Sequence, residues 1–87
     1  MTEADIRDIR DIRAVVLATL QSIAPEVETD ALRGDRPLRN QVDLDSMDWL
    51  NFLLGLNKRL KVEIPEVDYR KLITLDDVVA YLQARVG

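Results

Sequence analysis

Three separate stretches of this chain repeat apolar residues at intervals of three and four, and that period constrains the fold more than any other feature. In the first, Ile6, Ile9, Ile12, Val16, Leu20 and Ile23 line one side of a helix that Thr2 and Asp5 open as a capping pair. Ala24-Pro25 stops it, because a residue before proline avoids the helical region. The second runs from Ser46 to Leu60 and ends before Val62-Glu63-Ile64-Pro65, where β-branched residues and a proline break it. The third places Leu75, Val78, Val79, Leu82 and Val86 on one face behind a second capping pair, Thr74 with Asp77, and Gly87 follows as a terminus.

Between the first two helices, Pro25 to Leu44 is polar, with Gly34 and Pro37 among scattered apolar residues. Loops beyond about 12–15 residues are uncommon in small domains unless they are functional or hold short elements. One helical turn is expected around Thr29 to Arg33, with Leu38 and Val42 tucked onto the core. Val67 to Leu72 leaves room for one or two turns more. No segment alternates as a strand, so the prediction is an all-α bundle of three long helices plus one short helix, with a long loop between the first two. Residues 1–87 are expected to form a single domain.

A chain of 87 residues buries only about 60% of its unfolded surface, which leaves little room for a large catalytic cleft. There is no Cys and no His, which removes disulfides, thiolate metal sites, Ser-His and Cys-His nucleophilic pairs and the usual zinc ligands. An enzyme is not expected. The net charge of −4 disfavours nucleic acid and anionic membranes as partners. No apolar run approaches membrane-spanning length, and the amino-terminal stretch interleaves charge with isoleucine; the expected location is the cytoplasm, without membrane insertion.

Rotated by about 100° per residue, the middle helix divides its apolar residues into two groups. Trp49, Phe52, Leu53, Leu56 and Leu60 fall on one arc of core width. Met47, Leu50 and Leu54 form a narrower stripe to one side, continued by the polar Asn57 and Lys61. That stripe either packs beneath the long loop or stays open as a contact surface. Trp49 belongs with the core, where its indole N–H needs an acceptor.

The stripe leads away from Ser46, in Asp43-Leu44-Asp45-Ser46-Met47-Asp48. At a helix start, free backbone N–H groups and the positive end of the dipole suit a phosphate. Serine is equally a standard N-cap, although Asp45 or Asp43 could cap instead and release the Ser46 hydroxyl. A calcium loop starting at Asp43 fails, because Asp48 falls where glycine is needed and Leu54 where the bidentate glutamate should be.

The order of these pieces resembles the acyl carrier proteins. The resemblance rests on Leu44-Asp45-Ser46-Met47, the apolar helix after it, the stretch from Val62 to Tyr69, and that from Lys71 to Leu82. It spans nearly the whole chain. It implies a carrier rather than an enzyme, with 4′-phosphopantetheine transferred from coenzyme A onto Ser46 by a phosphopantetheinyl transferase that Asp45 helps to dock. Acyl groups then ride as thioesters on the prosthetic thiol and meet acyl-loading and acyl-using enzymes, typically in fatty acid or other lipid metabolism. The resemblance further implies partner contacts at Met47, Leu50 and Leu54, acyl-chain contacts at Leu53, Leu56, Ile64 and Tyr69, and a monomer.

One departure stands out. Family members of the fatty-acid type carry an acidic recognition helix, whereas Ser46 to Ile64 here sets Lys58, Arg59 and Lys61 against Asp48 and Glu63, a balance of +1. Those three cations are expected to select dedicated partners in a specialised lipid or secondary-metabolite pathway. A peptidyl or aryl carrier and a small helical adaptor without prosthetic group are the alternatives.

Overall fold

The computed structural model describes residues 9–85. The predicted opening cap at Thr2 and Asp5, together with Ile6, Val86 and Gly87, lies outside that range. Helix α1 spans Ile9–Ile23, α2 Leu38–Gln41, α3 Ser46–Leu60 and α4 Leu75–Arg85, with 3-10 turns at Thr29–Ala31 and Glu66–Lys71. No strand forms among the described residues; the only ladder-like pairing there is an isolated bridge between Pro37 and Thr74. The all-α bundle expected from the periodicity is therefore present.

Helix α1 is the shared wall, packing against both α3 and α4. Its Ile12, Val16 and Leu20 are fully buried and meet Phe52, Leu53 and Leu56 of α3 and Leu75, Val78 and Leu82 of α4 in one core. Polar atoms inside that core are matched. Thr19, 2% exposed, donates its hydroxyl to the Val15 carbonyl at 2.7 Å, the back-bond that lets a threonine enter a helix interior. Opposite it lies Gly55, where an added Cβ would stand 2.9 Å from Thr19 Cγ2. The glycine sets how near α1 and α3 can approach.

The Pro25 to Leu44 connection is more ordered than its composition indicates. The expected turn is a short 3-10 segment, Thr29–Ala31, and a second element unforeseen from the sequence, α2, follows. Leu38 and Val42 are buried as predicted. Part of the loop backbone is satisfied by one side chain: Gln41 Nε2 donates to the carbonyls of Arg33 at 2.9 Å and Arg36 at 3.1 Å, while its Oε1 accepts from Arg33 N–H at 2.7 Å. Two backbone hydrogen bonds then pin the loop to the start of α4, Leu38 N–H to the Ile73 carbonyl at 2.9 Å and Asp76 N–H to the Gly34 carbonyl at 3.0 Å. Any Cβ at Gly34 would run into the Asp76 carboxylate, so only glycine permits this approach without moving that side chain.

Helix α3 ends at Lys61, which adopts the left-handed conformation (φ 55°, ψ 42°) typical of a helix stop. Asn57 Nδ2 reaches past it to the Val62 carbonyl at 2.7 Å. The short helix expected over Val67 to Leu72 is the 3-10 segment Glu66–Lys71. Its Asp68 is buried and accepts from the Tyr81 hydroxyl of α4 at 2.6 Å, with Lys71 Nζ at 3.3 Å and Arg85 at 3.4 Å. The Tyr81 hydrogen bond, with help from Lys71 and Arg85, holds the Asp68 carboxyl below its usual range against the opposing effect of burial. Burial, then the hydrogen bond to Asp68, raises the Tyr81 phenol. This junction fastens the 3-10 segment to α4.

Candidate functional site

Ser46 is the first residue of α3 and is exposed. Its freedom has a local cause. Asp45, in extended conformation, is the N-cap, and its Oδ1 accepts from Asp48 N–H at 2.8 Å. That settles the choice between Asp43 and Asp45, and it leaves the Ser46 Oγ without a hydrogen bond among the described residues. The hydroxyl thus lies beside the free N–H groups of the first turn of a 15-residue helix, where negative charge is stabilised by the dipole and by unpaired donors. Asp45, Ser46 and Met47 are all exposed, so nothing on this side obstructs a group esterified to the oxygen.

Residues 14–82 match the family model described as a phosphopantetheine attachment site. The chain belongs to that family. It is also similar to curated acyl carrier proteins: 32% identical over 72 residues to one from Campylobacter jejuni, covering 83% of this chain and 87% of the relative, and 33% identical over 73 residues to one from Campylobacter hominis, covering 84% and 86%. A Lactobacillus acidophilus acyl carrier protein is 32% identical over 62 residues, 71% of this chain and 78% of its own. The protein is accordingly an acyl carrier rather than an enzyme, with 4′-phosphopantetheine as its prosthetic group. The adaptor reading without a prosthetic group falls away.

The two faces of α3 separate in the carrier as the periodicity predicted. Trp49, Phe52, Leu53, Leu56 and Leu60 are buried. Met47, Leu50 and Leu54 are 64%, 36% and 47% exposed, so the loop does not cover that stripe. Val67, 76% exposed on the 3-10 segment, and Ile73 are further open apolar residues that the reading of α3 alone passed over. Lys58, Arg59 and Lys61 are exposed and form no ion pair among the described residues. Lys58 and Arg59 occupy the last turn of α3, where the helix dipole itself favours cations.

Of the four residues expected to meet an acyl chain, Leu53 and Leu56 are closed into the core, and Ile64 and Tyr69 are half-buried against it. Tyr69 also borders a recess of about 180 Å³ between the loop, α3 and the 3-10 segment, lined by Pro37, Arg39, Trp49, Arg70, Leu72 and Ile73. The arginines of this recess were not singled out from the sequence, where Arg39 and Arg70 are ordinary loop cations. Arg39 Nε donates to the Leu44 carbonyl at 3.3 Å, and its guanidinium lies 6.0 Å from the centre of the Trp49 ring. Trp49 in turn sits 5.2 Å from Phe52, ring to ring. No helix among the described residues is long and apolar enough to cross a membrane.

Proposed function

We propose that Ser46 Oγ is the atom on which the carrier holds its 4′-phosphopantetheine, and that residues 1–87 act as one carrier domain, monomeric and cytoplasmic. One observation carries the assignment of the site: the exposed hydroxyl at the start of α3 is left uncommitted because Asp45 performs the capping. When bound, the arm supplies a thiol that holds acyl groups as thioesters, chemistry for which the chain has no sulfhydryl of its own. Ser46 provides the oxygen, the α3 N-terminus stabilises the phosphodiester charge, and Asp45 fixes the first turn while offering a carboxylate to the phosphopantetheinyl transferase.

Met47, Leu50 and Leu54 form the contact stripe for that transferase and for acyl-loading and acyl-using enzymes. Lys58, Arg59 and Lys61 rim its far end and steer the carrier toward partners whose docking surface is acidic, in a specialised lipid or secondary-metabolite pathway. The test of the site is incubation with coenzyme A and a broad-specificity transferase. Intact-mass analysis is expected to show one added phosphopantetheine, and Ser46→Ala to abolish it while the melting temperature stays unchanged. An added mass on the Ser46→Ala protein would overturn the assignment. For the rim, reversing Lys58, Arg59 and Lys61 to Glu is expected to slow transfer to a cognate enzyme without unfolding the carrier; unchanged rates would remove it from the recognition surface.

A further inference from the structure

Positive and negative charge are distributed unevenly around the start of α3. Asp43, Asp45 and Asp48 cluster in sequence about Ser46, whereas the neighbouring recess is lined by Arg39 and Arg70 and by no acid at all. Neither arginine has a carboxylate partner among the described residues. The walls between them are Trp49, Tyr69 and Leu72, with Pro37 and Ile73 at the rim. Its shape is set by the framework: the Leu38 N–H to Ile73 carbonyl bond joins the loop side to the segment before α4, and Arg39 is steadied by the Leu44 carbonyl and the Trp49 face.

The recess is also near the proposed attachment point. Trp49 lies one helical turn from Ser46, a separation of about 5–6 Å between Cβ atoms, and the Leu44 carbonyl that Arg39 holds is two residues before the serine. A volume of about 180 Å³ accommodates roughly six water-sized groups at about 30 Å³ each. That is room for a few methylenes and one polar end. Two guanidinium groups without a carboxylate partner over apolar walls are complementary to a carboxylate at the end of a short chain, and Arg presents paired N–H donors to such an end.

We infer that this recess receives the free carboxylate end of a short acyl group held on the thiol of the Ser46-anchored arm when the arm folds back along α3, so that the carrier prefers cargo with a second, ionised acid over neutral acyl chains of equal length. The inference rests on the attachment at Ser46 and names the cargo class for that site. Trp49 is the only tryptophan, so its fluorescence and its indole N–H resonance report on the recess directly.

The experiment loads the full chain with the transferase from succinyl-, butyryl- or benzoyl-coenzyme A, confirms each product by intact mass, and compares the Trp49 signals with those of the unacylated holo-carrier. The succinyl form is expected to shift both signals, the butyryl form to leave them at the holo position, and the succinyl shift to shrink as salt is raised. Arg70→Gln, at an exposed side chain that makes no hydrogen bond or ion pair among the described residues, is expected to weaken the succinyl response, and Arg39→Gln with Arg70→Gln to abolish it. Equal responses to succinyl and butyryl groups, or a succinyl shift that survives both substitutions, would overturn the inference. So would a benzoyl response as large as the succinyl one, which would make the aromatic walls the selector. A recess silent to all three would be left to an acidic side chain of a partner enzyme. Loading without a Trp49 response defeats the cargo class alone, whereas failure of any mass to appear defeats the Ser46 attachment and this inference together.

Discussion

The carrier opens two of its helices with the same kinds of residue and obtains opposite results. At the start of α4, Thr74 Oγ1 accepts from Asp77 N–H at 2.9 Å and Asp77 Oδ2 accepts from Thr74 N–H at 3.1 Å, a closed reciprocal box in which the hydroxyl is consumed. At the start of α3 the acid stands first. Asp45 caps, and the hydroxyl of Ser46 falls one residue inside the helix, where it holds nothing. Moving a hydroxyl by one position relative to the cap converts a structural oxygen into an available one.

The strongest way to break that comparison is to exchange roles. Ser46→Ala is expected to remove modification completely at no cost in stability, whereas Thr74→Ala should leave modification intact, as intact mass and thermal melting in parallel will read. Equal losses of stability would mean that Ser46 is a cap after all.

A second test concerns what holds α4 from its other end. Asp68 has its pKa lowered in the folded protein, so the unfolded chain binds the proton more readily. Its contribution is fully present above the ordinary carboxylate value of about 3.9 and is lost as pH falls through the lowered folded value. Asp68→Asn is therefore expected to flatten the acid limb of the stability curve, and to lower the melting temperature at neutral pH by more than either cap variant. Tyr81, raised by burial, works in the opposite sense: its contribution is fully present below the ordinary phenol value of about 10 and is lost as pH rises through the raised folded value.

Next in size come the caps themselves. Thr74→Ala and Asp45→Ala should each cost about 1 kcal/mol by denaturant unfolding, while Asp45→Asn, which still caps, should cost almost nothing. Slowed transferase turnover on Asp45→Asn would then isolate the carboxylate's docking role from its capping role. The smallest effect is at the other end of α3. Lys61→Gly relieves a left-handed conformation worth about 1–2 kcal/mol and adds roughly 0.5–1 kcal/mol of backbone entropy loss, so a net gain between zero and about 1.5 kcal/mol, centred below about 1, is expected. A loss would mean that the Lys61 side chain supports the helix end.

The parts of this molecule written in local pattern are legible in the sequence. The bounds of α3, the opening of α4 and the division of α3 into buried and open faces follow from a 3.6-residue period and from caps acting within four residues. What escaped is non-local. Helix α2 has four residues and no period to detect, and Gln41, which ties the loop together, looks like any surface amide. Asp68 reads as one more surface acid until Tyr81 and Arg85 arrive from α4, and the pairing of Arg39 with Arg70 needs the 3-10 segment laid beside the loop. Ser46 was legible as a candidate from its surroundings, but only the Asp48 N–H bond to Asp45 shows which residue caps.

The clasp between the long connection and Ile73 has a mechanical consequence. A serine at the tip of a slack strap would sample many directions, and a partner would have to order the strap before using whatever the serine holds. Because the strap is stapled near its midpoint at Gly34, and again further on at Leu38, to the threshold of the final helix, the span that remains free to move before Ser46 is short. The anchor point therefore borrows its steadiness from a part of the chain far away in sequence, and loosening that threshold would blur the aim of the arm without touching the residue that bears it.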